Sequence, residues 1–335
     1  MENIDTPRAA PGEIVARVRA ALTCGTDVKV FVRGYPAKQT VQRAVPYVFG
    51  HEWAGDIYEI GDGVKGYDKG TRVEALQAVC MNCHFCRRGV FNRCINREGG
   101  GREGGAFAEY FRIPKRVVEA GCVVKIPDHL SYEEASLSEP LSTVLHGQCK
   151  VEINVGDIVA IIGAGPIGLF HLQLAKLRGA GRTIVSDLVR ERLCVAKALG
   201  ADELIYANEE DPVDRVMNLT HQKGANVVIE AVGTRDTWEQ AIKMAAEPGT
   251  VLEFAGCPEG TEINFSAEKL HYGELTIVGS YNRTPVDSFR ALELLSSGRI
   301  EGKSLITRTM SLDEAPEAFQ ILRTDRREEK IALIP

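Results

Sequence analysis

A chain of 335 residues is too long for one ordinary core and suits two domains. Hydrophobic residues at 44% and charged residues at 26% exclude a disordered or fibrous protein, and a formal net charge of -6 leaves no overall basic field for a nucleic-acid backbone. Charged residues and proline interrupt the N-terminal stretch, so no signal-peptide core is expected, and no apolar run approaches the ~18 residues of a membrane span; the expectation is a cytoplasmic protein with neither nucleic-acid nor membrane partners.

Short β-rich runs at 13–22, 56–60, 72–75 and 106–113, punctuated by Gly, Pro and Asp, predict an irregular all-β region. Nine cysteines, an odd number without a secretion signal, point to reduced thiols and metal ligands. Four of them, in Cys80-x2-Cys83-x2-Cys86-x7-Cys94, crowd one short loop, which suits a closed tetrahedral zinc site with no position left for substrate. A redox pair needs only two cysteines, and thiols buried as small hydrophobes would not be interspersed with Asn82, His84 and Arg87. Arg87, Arg88, Arg93, Arg97 and Arg102 read as a solvated loop, because no aromatic stacking pattern accompanies them.

The pattern changes after Ile126-Pro127-Asp128. Helices at 141–150, 166–177, 189–199 and 235–245 alternate with strands at 158–162, 183–186, 226–230 and 251–255, and a last strand falls at 275–280. Short apolar strands taking turns with three-turn helices predict a doubly wound parallel sheet. Its first strand runs into Gly163-Ala164-Gly165-Pro166-Ile167-Gly168, where Gly163 permits a tight turn, Gly165 admits a pyrophosphate and Gly168 allows close helix packing. Asp187 ends the next strand, where a carboxylate accepts from ribose hydroxyls and repels a 2′-phosphate, so NAD is favoured over NADP despite Arg190 and Arg192 nearby. The tail has helical patterns at 287–297 and 313–323 and a strand at 330–334; too small for its own core, it is expected to return to the first region.

A second potential metal set is dispersed: Cys24, His51, Glu52 and Glu139. Taken singly, these residues equally fit a buried small side chain, a core histidine and a helix-entry carboxylate. Together with Gly50-His51-Glu52-x2-Gly55-x5-Gly61-x2-Val64, the four-cysteine lobe, Gly105-Ala106-Phe107-Ala108-Glu109-Tyr110, Glu139-Pro140-Leu141 and the glycine loop, the sequence resembles the zinc-dependent branch of the medium-chain dehydrogenase/reductase superfamily over nearly its whole length. The likeness is strongest to its sorbitol (L-iditol) and threonine dehydrogenase-like members.

That resemblance implies an α/β protein with a GroES-like β catalytic domain over 1–141, carrying the structural zinc lobe at about 80–94, then a Rossmann NAD-binding domain over 142–282 and a C-terminal return over 283–335. It implies two zinc ions per chain, with Cys24, His51 and Glu52 as inner ligands of the catalytic one and Glu52 able to exchange for substrate or water. Glu139 stands where ethanol-type relatives have a cysteine and polyol-type relatives a glutamate, which points to a hydroxyl-rich substrate. Thr26 matches the family's relay hydroxyl. Lys29 occupies the position of a relay histidine and either passes the proton on or is simply solvated. Ile167, Arg192, Ala255, Gly256, Cys257, Ser280, Tyr281 and Asn282 would line the cofactor, Asn282 near the place of a substrate-binding arginine in sorbitol dehydrogenases.

The expected activity is NAD-linked oxidation of a secondary alcohol of a polyol, cyclitol or sugar-like substrate to a ketone, zinc lowering the pKa of a bound hydroxyl so that hydride can leave. A threonine 3-dehydrogenase-like amino-alcohol oxidation is the runner-up. A zinc-independent quinone or enoyl reductase and a nonenzymatic NAD-binding or metal-sensing protein are the rival classes. A homodimer or homotetramer is expected.

Overall fold

The computed structural model describes residues 2–33, 48–98 and 105–335. Arg102 of the basic loop lies outside them. In chain order the strands are β1 (Ile14–Leu22), β2 (Glu52–Ile60), β3 (Arg72–Ala75), β4 (Tyr110–Ile113), β5 (Val123–Lys125), β6 (Ile158–Ile162), β7 (Arg182–Asp187), β8 (Glu203–Tyr206), β9 (Ala225–Glu230), β10 (Ala245–Glu253), β11 (Thr276–Gly279), β12 (Ile306–Ser311) and β13 (Lys330–Ile334). The chain divides into two units. One comprises Met1–Ser142, Arg283–Gly298 and Gly302–Pro335; the other comprises Thr143–Asn282 and Arg299–Glu301.

In the first unit the sheet order is β12-β13-β1-β2-β3-β5, with β4 also paired to β1. Arg17 and Arg19 are exposed while Ala16, Val18 and Ala20 between and around them are buried, as the two-residue period of a strand requires. Arg19 Nε donates to Asp56 Oδ2 at 2.5 Å, which ties the outer face of β1 to β2. The inner face meets Ile57, Val73 and Ile331 in a core where Trp53 packs on Phe111, ring centroids 4.6 Å apart. The C-terminal tail completes this sheet: β13 runs antiparallel to β1, with Leu22 opposite Ala332.

Three local features differ from the sequence expectation. The strand expected at 106–113 is reduced to β4, because Ala106 and Phe107 donate instead to the carbonyls of Gly50 and Phe49. Strand β2 starts at Glu52, before the expected 56. A helix, Gly25–Arg33, follows Cys24 although Thr26, Val28, Val30 and Val32 are weak helix formers. Packing overrides propensity there: Phe31 stacks on Phe319 of the helix Ala315–Thr324 at 5.1 Å between centroids.

The second unit is a parallel sheet in the order β11-β10-β9-β6-β7-β8, the doubly wound Rossmann arrangement that the alternating pattern predicts. Chain order reverses on either side of β6, and that switch point is where such sheets bind ligands. The sequence reading omitted β8 and the helix Pro212–Leu219. The helix nevertheless carries a start signal: Asp211 accepts from the amides of Val213 and Asp214 at 2.8 and 3.1 Å, and Pro212 opens the first turn. No helix among the described residues is long and apolar enough to cross a membrane.

This sheet buries an unusual carboxyl. Glu253 on β10 lies in register with Glu230 on β9. Glu230 Oε1 accepts from the amides of Val232 and Gly233 at 2.8 Å, whereas neither Glu253 oxygen has a hydrogen-bond partner among the described residues. Burial, with the neighbouring Glu230, pushes Glu253 up to about 9. The folded chain therefore keeps a proton that the unfolded chain loses from 4.5 upward, so stability falls through that window as pH rises, by roughly 1.4 kcal/mol per unit. A nontitrating Glu253→Gln variant is expected to be more stable by about 3 kcal/mol at pH 7 and to lose that advantage below pH ~4. Urea melts over a pH series measure the difference; a gain independent of pH would refute the buried-proton account.

Candidate active site

Three strand ends converge to build the site. The β1–β2 ladder sets Leu22 opposite Glu52, so Cys24, two residues beyond β1, arrives beside His51 and Glu52. On the other side of β1, Thr23 exchanges hydrogen bonds with Ile331 of β13, its amide donating to the carbonyl and its hydroxyl accepting from the amide, both at 3.0 Å. That pairing carries Lys330, the first residue of β13, to the same point.

The donor atoms of Cys24, His51 and Glu52 all lie within 4.8 Å of one another. A thiol, an imidazole and a carboxylate so close together offer the mixed S, N and O donors that suit an open zinc site. His51 Nδ1 is 3.3 Å from Asp27 Oδ1, which leaves Nε2 as the ring nitrogen that could hold a metal. Burial opposes a charge on His51, yet Asp27 and the Cys24 sulfur hold its pKa well above the usual value. The Cys24 sulfur accepts from the Thr26 amide at 3.5 Å at the start of the helix Gly25–Arg33, which fixes its position beside His51. Thr26 and Lys29 are exposed on that helix.

Glu52 is fully buried and receives Lys330 Nζ at 2.5 Å. Lys330, itself 3% exposed, also donates to the Thr23 carbonyl at 3.0 Å. Burial opposes a charge on both partners: it pushes Glu52 up to about 7 in spite of Lys330, whereas Glu52, the Cys24 sulfur and Glu139 together outweigh burial at Lys330 and hold its ammonium above its ordinary range.

Glu139 stands apart from the three-residue group. Its carboxylate pairs with the guanidinium of Arg283, and both side chains are mostly buried. The same small pocket is lined by His51, Glu74 and Ser138. Glu74 Oε2 accepts from the Ser138 hydroxyl, its Oε1 is buried without a partner among the described residues, and burial pushes the carboxyl up to about 8.

The four-cysteine lobe forms a second centre. Cys80, Cys83, Cys86 and Cys94 bring their sulfurs together, with Cys80 at 4.0 Å from Cys86 and 3.5 Å from Cys94. Sulfurs on a tetrahedral zinc at about 2.3 Å stand ~3.8 Å apart, whereas a disulfide needs about 2 Å. The amides of Cys86 and Ile95 hold the Cys83 thiol down at about 6, while burial pushes Cys86 up to about 12. Four thiols so close cannot all ionise without a cation among them, so the donor set fits zinc.

In the second unit the glycine loop follows β6. Gly163 has φ of 99°, and a Cβ on Gly168 would stand 1.8 Å from the Gly163 carbonyl, so the turn and the helix contact both require glycine. Gly165 precedes the helix Pro166–Leu177, with Pro166 in its first turn and Ile167 half-buried behind it. Asp187 accepts from the Ala164 amide at 2.7 Å and the Val189 amide at 2.8 Å, which fastens the glycine loop to the end of β7. Its remaining lone pairs are the acceptors available to a ribose. Ala255, Gly256 and Cys257 follow β10, and Ser280, Tyr281 and Asn282 follow β11, all at the carboxyl edge of the sheet. Arg192 lies in the helix Arg190–Ala198 after β7.

Comparison with known proteins decides the family. Residues 166–297 match the zinc-binding dehydrogenase model, and residues 10–128 match the alcohol dehydrogenase GroES-like domain. A sorbitol dehydrogenase of Halalkalibacterium halodurans is 32% identical, over 96% of this chain and 92% of the relative. The chain belongs to the zinc-binding dehydrogenases. An L-threonine 3-dehydrogenase of Bacillus licheniformis is 33% identical over 100% of this chain and 94% of its own length. A solved zinc-binding dehydrogenase structure from Sinorhizobium meliloti 1021, bound to NADP, superposes with a TM-score of 0.90 at 30% identity, covering 100% of this chain and 95% of that one.

This zinc-binding dehydrogenase is thus an oxidoreductase of the zinc-dependent alcohol dehydrogenase type, in the medium-chain superfamily branch that holds the sorbitol and threonine enzymes. Four residues of its site escaped the sequence reading. Asp27 sits inside the segment that drew attention to Cys24, and its three-residue spacing on a helix was the available signal. Lys330 is the one charged residue of an otherwise apolar strand, which marks it for a buried partner. Arg283 and Glu74 carried no local signal, because each acquires its role only from the fold.

Proposed function

We propose that this dehydrogenase oxidises a secondary alcohol of a polyol, cyclitol or sugar-like substrate to a ketone, with NAD as hydride acceptor, one zinc held by Cys24, His51 and Glu52 and a second by the four cysteines. The observation that carries the substrate class is the pocket beside His51, where Glu74, Ser138, Glu139 and Arg283 set donors and acceptors alongside Trp53, Ala75 and Leu76. Such a lining rejects a substrate that leaves its groups unpaired, and a hydroxyl-rich molecule satisfies them. Asp187 at the end of β7 supports NAD.

Bound zinc would supply Lewis acidity to the substrate hydroxyl. The protein's part is to hold that centre. Asp27 orients His51, Lys330 balances the charge of Glu52, and the Thr26 hydroxyl is the proton's first exit, with Lys29 farther along the same exposed helix turn. An amino alcohol such as threonine is the second reading. It is favoured by the carboxylate and guanidinium charges in one pocket and by the identity to the threonine relative. A zinc-independent reductase would leave the convergence of Cys24, His51 and Glu52 without purpose. The protein is further proposed to act as a cytoplasmic homodimer or homotetramer.

The test is zinc content together with NADH and NADPH formation over a panel of polyols, cyclitols and threonine. Two zincs per chain with faster turnover on polyols and NAD is the expected result. One zinc after metal-replete purification, with no alcohol oxidised, would overturn the reading.

A further inference from the structure

Arg190 opens the helix that follows β7, three residues after Asp187, the place from which an arginine serves the 2′-phosphate of NADP. In this chain that guanidinium is already engaged. Asp187 and Tyr206 are in-register partners at the ends of β7 and β8, so their side chains leave the same face of the sheet at its carboxyl edge. Arg190 lies over the Tyr206 ring, 4.1 Å from its centroid, and donates from Nη2 to Glu209 Oε1. The segment that carries Glu209 is fastened to the one that carries Arg190. The Ala207 amide donates to the Asp187 carbonyl at 3.0 Å, the Asn208 side chain to the Leu188 carbonyl at 2.8 Å, and the Glu209 amide to the Tyr206 carbonyl at 2.9 Å.

The pair contributes little to folding, because its side chains are 59% and 63% exposed and water screens such charges. Its weight falls instead on which other anion Arg190 can take. Stacking on an aromatic ring fixes the plane of a guanidinium, and a guanidinium so fixed is a good phosphate receptor. We propose that Glu209 is a specificity-determining residue for the nucleotide: it holds Arg190 as its own counter-ion and so withholds it from a 2′-phosphate. The inference rests on the reading of NAD as hydride acceptor and gives that preference a second source. Asp187 leaves room for one, since each of its oxygens already accepts an amide, from Ala164 and Val189, which engages part of its charge in the fold.

The test measures binding instead of turnover. Dissociation constants for NAD and NADP are taken by calorimetry on the zinc-replete full chain, in the parent, Glu209→Gln, Arg190→Met and the double variant. Glu210→Gln is the control: Glu210 stands next in the chain but pairs with Arg215 at 3.5 Å, so its loss removes the same charge without releasing Arg190. Glu209→Gln is expected to tighten NADP by roughly 10-fold with NAD unchanged, a gain that narrows as salt is raised. Methionine at position 190 keeps an unbranched stem over Tyr206. In that background the Glu209→Gln substitution is expected to leave NADP affinity within about twofold, because the guanidinium it would release is gone.

An unchanged NADP-to-NAD affinity ratio in Glu209→Gln, an equal gain with and without Arg190, or an equal gain in Glu210→Gln overturns the proposal and leaves NAD as the acceptor. A parent that binds NADP as tightly as NAD, or that binds neither, overturns both the proposal and the nucleotide part of the proposed function. A parent and variants that bind as expected but oxidise no alcohol overturn the function alone.

Discussion

Replacing Cys86 and Cys94 together by serine is expected to strip one zinc per chain and remove stabilisation on the order of 10 kcal/mol from the lobe around residues 80–94. The lobe has little else to hold it. Among the described residues its apolar cluster consists of the cysteines themselves with Val79, Phe85 and Phe91, and its helical pieces, His84–Arg87 and Phe91–Arg93, are single turns. So small a cluster cannot offset the ordering of a loop of this length. Hydrogen exchange and limited proteolysis should show the loop opening while the parallel sheet of the other unit stays protected, and metal analysis should show one zinc fewer. Because the thiols must ionise to bind, the parent lobe should lose its metal on acidification, in the same direction as the double variant. A double variant that keeps its full zinc content would remove the lobe from the metal sites.

Lys330→Met is expected to lower the free energy of unfolding by about 3–5 kcal/mol, measured by denaturant melts of metal-stripped protein. Methionine fills the space of the lysine stem, so the loss isolates the charge. It leaves Glu52 fully buried without its ammonium partner, and takes a donor from the Thr23 carbonyl. The deserted carboxyl must then take up a proton, so the deficit should shrink as pH falls toward the ordinary glutamate range. Adding Glu52→Gln to Lys330→Met should recover much of the loss, since a neutral amide is far cheaper to bury than an unpaired carboxylate. A single variant within 1 kcal/mol of the parent would show that the pair contributes nothing as an ion pair.

Most of the parallel unit was legible in the sequence, β8 excepted, because strands such as β6 and β9 are short apolar runs near glycine, and their length and flanking residues set them apart from the longer helices between them. The glycine loop was legible for the same local reason, each glycine answering a backbone demand at its own position. The first unit was harder to read. Its helix Gly25–Arg33 is made of weak helix formers held by Phe319 from far along the chain, and its strand at 106–113 shrinks because its backbone groups are claimed by residues 49 and 50. In the site, the thiol, imidazole and carboxylate announce themselves by type. The groups that set their charge, Asp27, Lys330, Arg283 and Glu74, are ordinary polar residues until the strands bring them together.

Strand β13 has a bearing on biosynthesis. Lys330 reaches Glu52 across a separation of 278 residues, and Thr23 needs the backbone of Ile331 to pair its amide and its hydroxyl. The whole parallel unit lies between those partners in the chain, so it emerges from the ribosome before the first unit can close its own sheet. During that interval Glu52 has no counter-charge and β1 lacks its neighbour β13. A nascent chain should therefore acquire nucleotide competence early and a stable metal centre only in the last moments of synthesis, its exposed β1 edge the segment most in need of chaperoning until then.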